Sequence, residues 1–125
     1  TIGKSAFEKC ISLLIVTIPS SVKSIGIYAF NGCSSLTKIT IPSSVTEFGG
    51  AFSHCSSLMK IKILSEPTSI GDYTFMGCSS LKEIDIPSSV KRIGFSAFAK
   101  CTWPKYQFYP MILILTHLLL WDVIL

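Results

Sequence analysis

The chain has 125 residues, room for one domain. Apolar residues make up 49% and charged residues 14%, against about 25% charged in an average soluble domain, which excludes intrinsic disorder. The net charge of +4 comes from 11 basic and 7 acidic residues scattered along the chain; without a basic stripe and interleaved aromatics, no nucleic-acid partner is expected.

The five cysteines, Cys10, Cys33, Cys55, Cys78 and Cys101, lie 23, 22, 23 and 23 residues apart. Their number is odd, and no pair has the short spacing of a metal site, so neither a closed disulfide framework nor a metal centre is expected. A constant period of this length marks a repeat protein. Aligned on the cysteines, residues 2–24 read IGKSAFEKCISLLIVTIPSSVKS and residues 25–47 read IGIYAFNGCSSLTKITIPSSVTE. Residues 48–69 read FGGAFSHCSSLMKIKILSEPTS, one residue short near Phe48, Gly49 and Gly50. Residues 70–92 read IGDYTFMGCSSLKEIDIPSSVKR, and a fifth unit starts as IGFSAFAKC at Ile93. The array begins in mid-pattern at Thr1, with no secretory leader in front, as a piece of a longer array would.

The repeated I-G-x-x-A-F-x-x-C and L-x-x-I-x-I-P-S-S-V closely resemble the leucine-rich repeats of the BspA-like family, over residues 2–101. The resemblance implies an α/β solenoid. In it a right-handed leucine-rich repeat superhelix carries one parallel β-sheet on its concave face and short helical turns or loops on its convex face. It further implies a surface protein of bacteria or parasitic protists, on the cell surface or secreted, that binds a protein partner in adhesion or recognition. A structural array segment, or the recognition part of a larger multidomain protein, is the alternative.

Within each unit the residues themselves predict the local structure. In residues 36–41, Ile39 and Ile41 alternate with Lys38 and Thr40, the period of a half-buried strand. The equivalent strands are residues 13–18, 58–63 and 81–86. Pro follows Ile18, Ile41 and Ile86 and ends the ladder, Ser-Ser turns the chain, and Val22, Val45 and Val90 anchor it again. The Ile-Gly step and the Ala-Phe pair belong to the convex side, as a short helical turn. Gly26, Gly71 and Gly94 permit a backbone geometry or approach that a Cβ would hinder. Phe7, Phe30, Phe52, Phe75 and Phe98 should form one internal spine, with reduced, unreactive cysteines on the inside of the same column.

Candidate chemistry is sparse. His54 aligns with Gly32, Gly77 and Lys100, which points to a solvent position, and His117 sits in an apolar tail. Neither has an orienting acid and a nucleophile in its pattern. The I-P-S-S-V serines recur too regularly to be nucleophiles, and no hydrolase, zincin or phosphate-loop motif occurs. A non-enzymatic module without cofactors is therefore expected. The outward strand positions run Ile15 and Thr17, then Lys38 and Thr40, Lys60 and Lys62, Glu83 and Asp85. Lys38, Thr40, Lys60, Lys62, Glu83 and Asp85 form the candidate partner surface. Parallel stacking would set Lys60 beside Glu83 and Lys62 beside Asp85.

The repeat array is assigned to residues 1–101 and a hydrophobic tail to residues 102–125. The tail has three readings: a cap, a short membrane anchor over residues 106–121, or an out-of-frame or mis-joined end. Any membrane contact would run through it. The 16 residues between Lys105 and Asp122 would span about 24 Å as a helix, against a hydrocarbon core of about 30 Å. Further repeats of a longer parent chain are the remaining expected partner.

Overall fold

Where apolar and polar residues alternate, the chain runs extended. The computed structural model describes residues 1–102 and forms five strands: β1 (Lys38–Ile41), β2 (Lys60–Ile63), β3 (Ser69–Ile70), β4 (Glu83–Asp85) and β5 (Arg92–Ile93). The isoleucines of β1, β2 and β4 are buried and the residues between them exposed, as a sheet with one solvated face requires. These three strands pair in parallel in the order β1-β2-β4. Ile39, Ile61 and Ile84 are in register, so each unit is one coil of a solenoid and advances by one strand. After β1, the Val45 N–H donates to the Pro42 carbonyl at 3.0 Å, closing the turn that Pro and Ser-Ser begin; Val90 and Pro87 repeat it after β4.

Three features depart from the sequence expectation. First, residues 13–18 form no strand. Exposure still alternates there, with Ile15 and Thr17 exposed, Val16 half-buried and Ile18 buried, and Leu14 and Ile15 stand exposed where coil 2 has Thr37 and Lys38. Second, the strands belong to two sheets. β3 pairs with β5 in parallel through Ile70 and Ile93, and isolated bridges join Ile2 to Ile25 and Ser24 to Glu47. This second ladder runs through the Ile-Gly steps, which the sequence expects in a convex helical turn and which instead pair between coils.

Third, the described residues contain no helix; the Ala-Phe segments are turns. The hydrogen bonds give the reason. Successive N–H groups alternate in direction. Those of Ser5, Phe7 and Lys9 donate to Ile27, Ala29 and Asn31 of the next coil, at 3.1, 2.7 and 2.7 Å. Those of Ala6, Glu8 and Cys10 donate three residues back within their own coil. An α-helix would need every N–H for its own axis, so donors used between coils are unavailable to it. The alternation requires left-handed backbone at two positions of each unit. Ser5, Tyr28, Gly50, Tyr73 and Ser96 hold the first, and Lys9, Gly32, His54, Gly77 and Lys100 the second, all with φ between 50° and 74°.

The core is one continuous column. Phe7, Phe30, Phe52, Phe75 and Phe98 stack ring on ring, with centroids 5.2 to 5.8 Å apart. The four inner rings are buried and Phe7, at the end of the column, is 40% exposed. Burying such a ring stabilises by about 1.5–3 kcal/mol, and each ring pair adds about 0.5–1.5 kcal/mol. Close backbone approach matches this spacing. A Cβ on Gly26 would lie 2.6 Å from the Lys4 backbone nitrogen, and one on Gly71 would lie 2.8 Å from the Gly49 Cα.

All five cysteines are free, and Cys33, Cys55 and Cys78 are buried. Four of the five thiols donate to the carbonyl of the phenylalanine one coil before: Cys33 to Phe7 at 3.1 Å, Cys55 to Phe30 at 3.2 Å, Cys78 to Phe52 at 3.4 Å and Cys101 to Phe75 at 3.1 Å. Burial pushes the Cys55 and Cys101 thiols up to about 12 and raises Cys33 and Cys78 as well.

Coil 3 is one residue short, and its neighbour compensates. Coils 1, 2 and 5 carry Ala6, Ala29 and Ala97 before the core phenylalanine; coil 4 carries Thr74, fully buried. Its hydroxyl donates to the Gly71 carbonyl at 2.6 Å and accepts from the Gly50 N–H at 3.1 Å. The Gly50 N–H thus finds in a side chain the acceptor that a backbone carbonyl supplies elsewhere. The tail beyond Thr102, with its cap, anchor and mis-joining readings, lies outside the described residues.

Two outcomes follow. Thr74→Ala restores the repeat pattern yet removes an acceptor from a buried N–H, so it should lower stability by about 1–3 kcal/mol; Thr74→Ser should recover most of the loss, as read from urea unfolding midpoints. The thiols give a pH signature. An unfolded cysteine ionises near 9 while buried Cys55 stays protonated to about 12. The native state therefore holds more protons above pH 9, and stability should fall as pH rises from about 9 towards 12. Urea midpoints of Cys55→Ala should fall less steeply over that window; an equal slope would refute the assignment.

Candidate functional site: the face of the three-stranded sheet

Strand alternation sends one set of side chains into the column and the other to the open side of the sheet. Lys38, Thr40, Lys60, Lys62, Glu83 and Asp85 are all exposed on that side, as the sequence expects. The parallel register places Lys38 beside Lys60, Thr40 beside Lys62, Lys60 beside Glu83 and Lys62 beside Asp85. The two cross-strand neighbours behave differently. Lys60 Nζ lies 3.0 Å from Glu83 Oε2. Lys62 and Asp85 share a register position without closing an ion pair among the described residues.

The face therefore has a fixed order of character. Coil 1 contributes exposed Ile15, coil 2 contributes Lys38 and Thr40, coil 3 contributes Lys60 and Lys62, and coil 4 contributes Glu83 and Asp85. A cavity of about 210 Å³ lies between β2 and β4, walled by Lys60, Lys62, Glu83 and Asp85. A second, of about 370 Å³, lies between coil 1 and β1 and includes Ile15, Thr17, Lys38 and Thr40. The first is lined by charged groups and the second mostly by apolar ones, and such open depressions suit contact with another surface more than enclosure of a small molecule. No group of three or more potential metal ligands occurs among the described residues, and no helix among them is long and apolar enough to cross a membrane.

His54 is exposed, the solvent position that the sequence implies. The sequence reading missed what its column shares, which is left-handed backbone. Gly32 and Gly77 in that column carried the signal, because glycine tolerates such a φ without strain.

The Lys60–Glu83 pair is 60% exposed on both sides, so its contribution is small. A double-mutant cycle with Lys60→Ala and Glu83→Ala should give a coupling of about 0.2–1 kcal/mol that shrinks in high salt. A cycle on Lys62 and Asp85 should give less.

The solved structures similar to this chain are repeat proteins. The leucine-rich repeat protein of T. pallidum aligns at 37% identity and a TM-score of 0.71, over 80% of this chain and 49% of the other. A leucine-rich repeat protein from Bacteroides ovatus aligns at 42% identity and 0.67, over 70% of this chain and 26% of that one. A leucine rich cell surface protein from Faecalibacterium prausnitzii aligns at 33% identity and 0.57, over 80% of this chain and 34% of the other. The chain thus spans about half or less of these proteins. No curated protein matches it. A model of the BspA-type leucine-rich repeat region matches residues 1–115 in six copies. With coils in parallel register over a shared column of leucine, isoleucine, phenylalanine and cysteine, the chain belongs to the BspA-type leucine-rich repeat family.

Proposed function

We propose that the chain is a non-enzymatic recognition segment that docks a protein partner on the open face of the three-stranded sheet. In this reading the face is the inner, concave side of a right-handed superhelix, and the protein acts in adhesion at a cell surface or after secretion. The observation that carries it is the ordered charge on a rigid sheet. Lys38, Lys60 and Lys62 precede Glu83 and Asp85 in fixed register, and Lys38, Lys62 and Asp85 close no ion pair among the described residues. A complementary partner presents acidic groups over coils 2 and 3 and a basic group over coil 4. The family, and the Faecalibacterium relative described as a cell surface protein, support the location.

Size sets a condition. Strands of four residues at about 3.3 Å each, with three strands about 4.8 Å apart, cover roughly 200 Å², below the about 800 Å² per partner of a stable interface. The partner therefore also engages coils or loops beyond β1, β2 and β4.

The test is affinity recovery of cell-surface proteins with the wild-type chain and with Lys38→Glu/Lys62→Glu, which leaves the Lys60–Glu83 pair intact. The double reversal should cut recovery of a reproducibly bound partner by at least about tenfold while leaving thermal unfolding unchanged. Equal recovery by the two proteins would refute the sheet face as the site.

A further inference from the structure

The strands β1, β2 and β4 make their backbone hydrogen bonds in the plane of the sheet, so its face offers a partner side chains alone. A segment lying on that face must satisfy its own N–H and C=O groups. An α-helix does so; an extended peptide does not, and adds to a sheet edge instead. Dimensions agree. The four residues of β1 and of β2 reach about 13 Å, and a helix with its side chains is about 10–12 Å across, so the face has room for one. Laid along the strands, that helix would leave the sheet after about two turns. Laid across them, it turns once per about 5.4 Å against a strand spacing of about 4.8 Å. One turn then meets each coil, with a drift of about 2 Å over three steps. An extended chain repeats its same-face side chains every 6.6–6.8 Å or so and would drift by about 6 Å.

The groups that such a helix would meet come in a fixed order. Coil 1 presents Ile15, 65% exposed, in the wall of the depression of about 370 Å³ that it shares with Lys38. β1 presents Lys38, β2 presents Lys62 and β4 presents Asp85, and none of the three closes an ion pair among the described residues. Lys60 and Glu83, 3.0 Å apart, neutralise each other. Along the solenoid the groups left over therefore read apolar, basic, basic, acidic.

Resting on the sheet-face reading above, we propose that the partner seats one acidic α-helix across the strands, with an apolar side chain on Ile15, carboxylates on Lys38 and Lys62, and a basic side chain on Asp85. On the helix these four groups occupy positions i, i+4, i+7 and i+11, a single stripe. The pattern is complementary at each coil, and moving the helix by one coil sets its carboxylates or its basic group against like charge or an apolar group. This chain does not supply the helix itself. Residues 1–102 contain none, and residues 103–125 hold one acidic residue, Asp122, where the stripe needs two. The helix therefore belongs to another protein.

The test is titration of the isotope-labelled full chain, followed by amide NMR, with lactam-bridged helical peptides. Each carries leucine, glutamate, glutamate and arginine at the four stripe positions and alanine or glutamine elsewhere; one runs in this order and one in reverse, because a helix fits the stripe in either direction. Two controls keep the composition close: one exchanges acidic and basic positions, and one has no lactam bridge and carries two central prolines, which forbid the helix. At least one helical peptide should shift the amides of Lys38, Lys62 and Asp85 saturably, with a dissociation constant of about 0.1–1 mM for a ligand this small. Both controls should bind at least tenfold more weakly. Lys38→Glu/Lys62→Glu, in protein whose thermal unfolding is unchanged, should weaken the helical peptide by at least tenfold. Lack of saturable shifts from both helical peptides, equal binding of either control, or shifts confined to residues off the sheet face would overturn the proposal. If the helical peptides fail while Lys38→Glu/Lys62→Glu still lowers recovery of a cell-surface protein, the helix falls and the sheet face stands; if both experiments fail, both fall.

Discussion

Every coil must advance the chain by the same step as its neighbours, and this equality of rise is the constraint on which the structure depends. It is set in the column, where phenylalanine rings follow one another at 5.2 to 5.8 Å and each buried thiol reaches the phenylalanine carbonyl one coil back. Outside the column, N–H groups alternate between the next coil and their own. The pattern is possible only because two residues per unit take left-handed backbone. Ring spacing, sheet spacing and turn bonding are therefore one condition met three times, which explains why unit length is so nearly constant.

The exception in coil 3 shows how stiff that condition is. Losing one residue leaves the column intact, since Phe52 stacks on both Phe30 and Phe75. The disturbance is displaced outward. The second ladder carries no pairing between the start of coil 3 and the start of coil 4. The orphaned Gly50 N–H turns to Thr74, and the side-chain row on the turn side loses its central member. A deletion absorbed by the core would have changed the rise of every later coil; one absorbed at the periphery leaves the ring spacing intact.

The sequence made the column legible because its residues obey a period. Phe7 to Phe98, the five cysteines and the isoleucines of β1, β2 and β4 all fall where the alignment sets them. The outward residues were legible for the same reason, as the Lys60–Glu83 contact bears out. What escaped had no side-chain identity to read. Left-handed backbone at Tyr28, Tyr73, His54 and Lys100 is shared by residues with nothing else in common, and only the glycines among them hint at it. The helical turn expected at Ala-Phe failed because residue type does not reveal which way an N–H points. The strand expected at residues 13–18 does not form, although Ile15 to Ile18 keep the alternate exposure of the other coils.

A comparison of magnitudes separates what builds the solenoid from what decorates it. Each buried ring and its stacking contribute a few kcal/mol, whereas an ion pair as exposed as Lys60–Glu83 contributes about 1 kcal/mol at most. Charges on the sheet face are therefore nearly free of structural duty. Position by position, the inward residue is dictated by the column and the outward residue is not. Lys38, Lys60 and Glu83 occupy equivalent sites on adjacent strands and differ in sign, while Ile39, Ile61 and Ile84 beside them do not differ at all. Variation confined to one side of a strand is what a scaffold needs if recognition is to change without the fold changing, and it is the physical argument behind the proposal that a partner docks on that side.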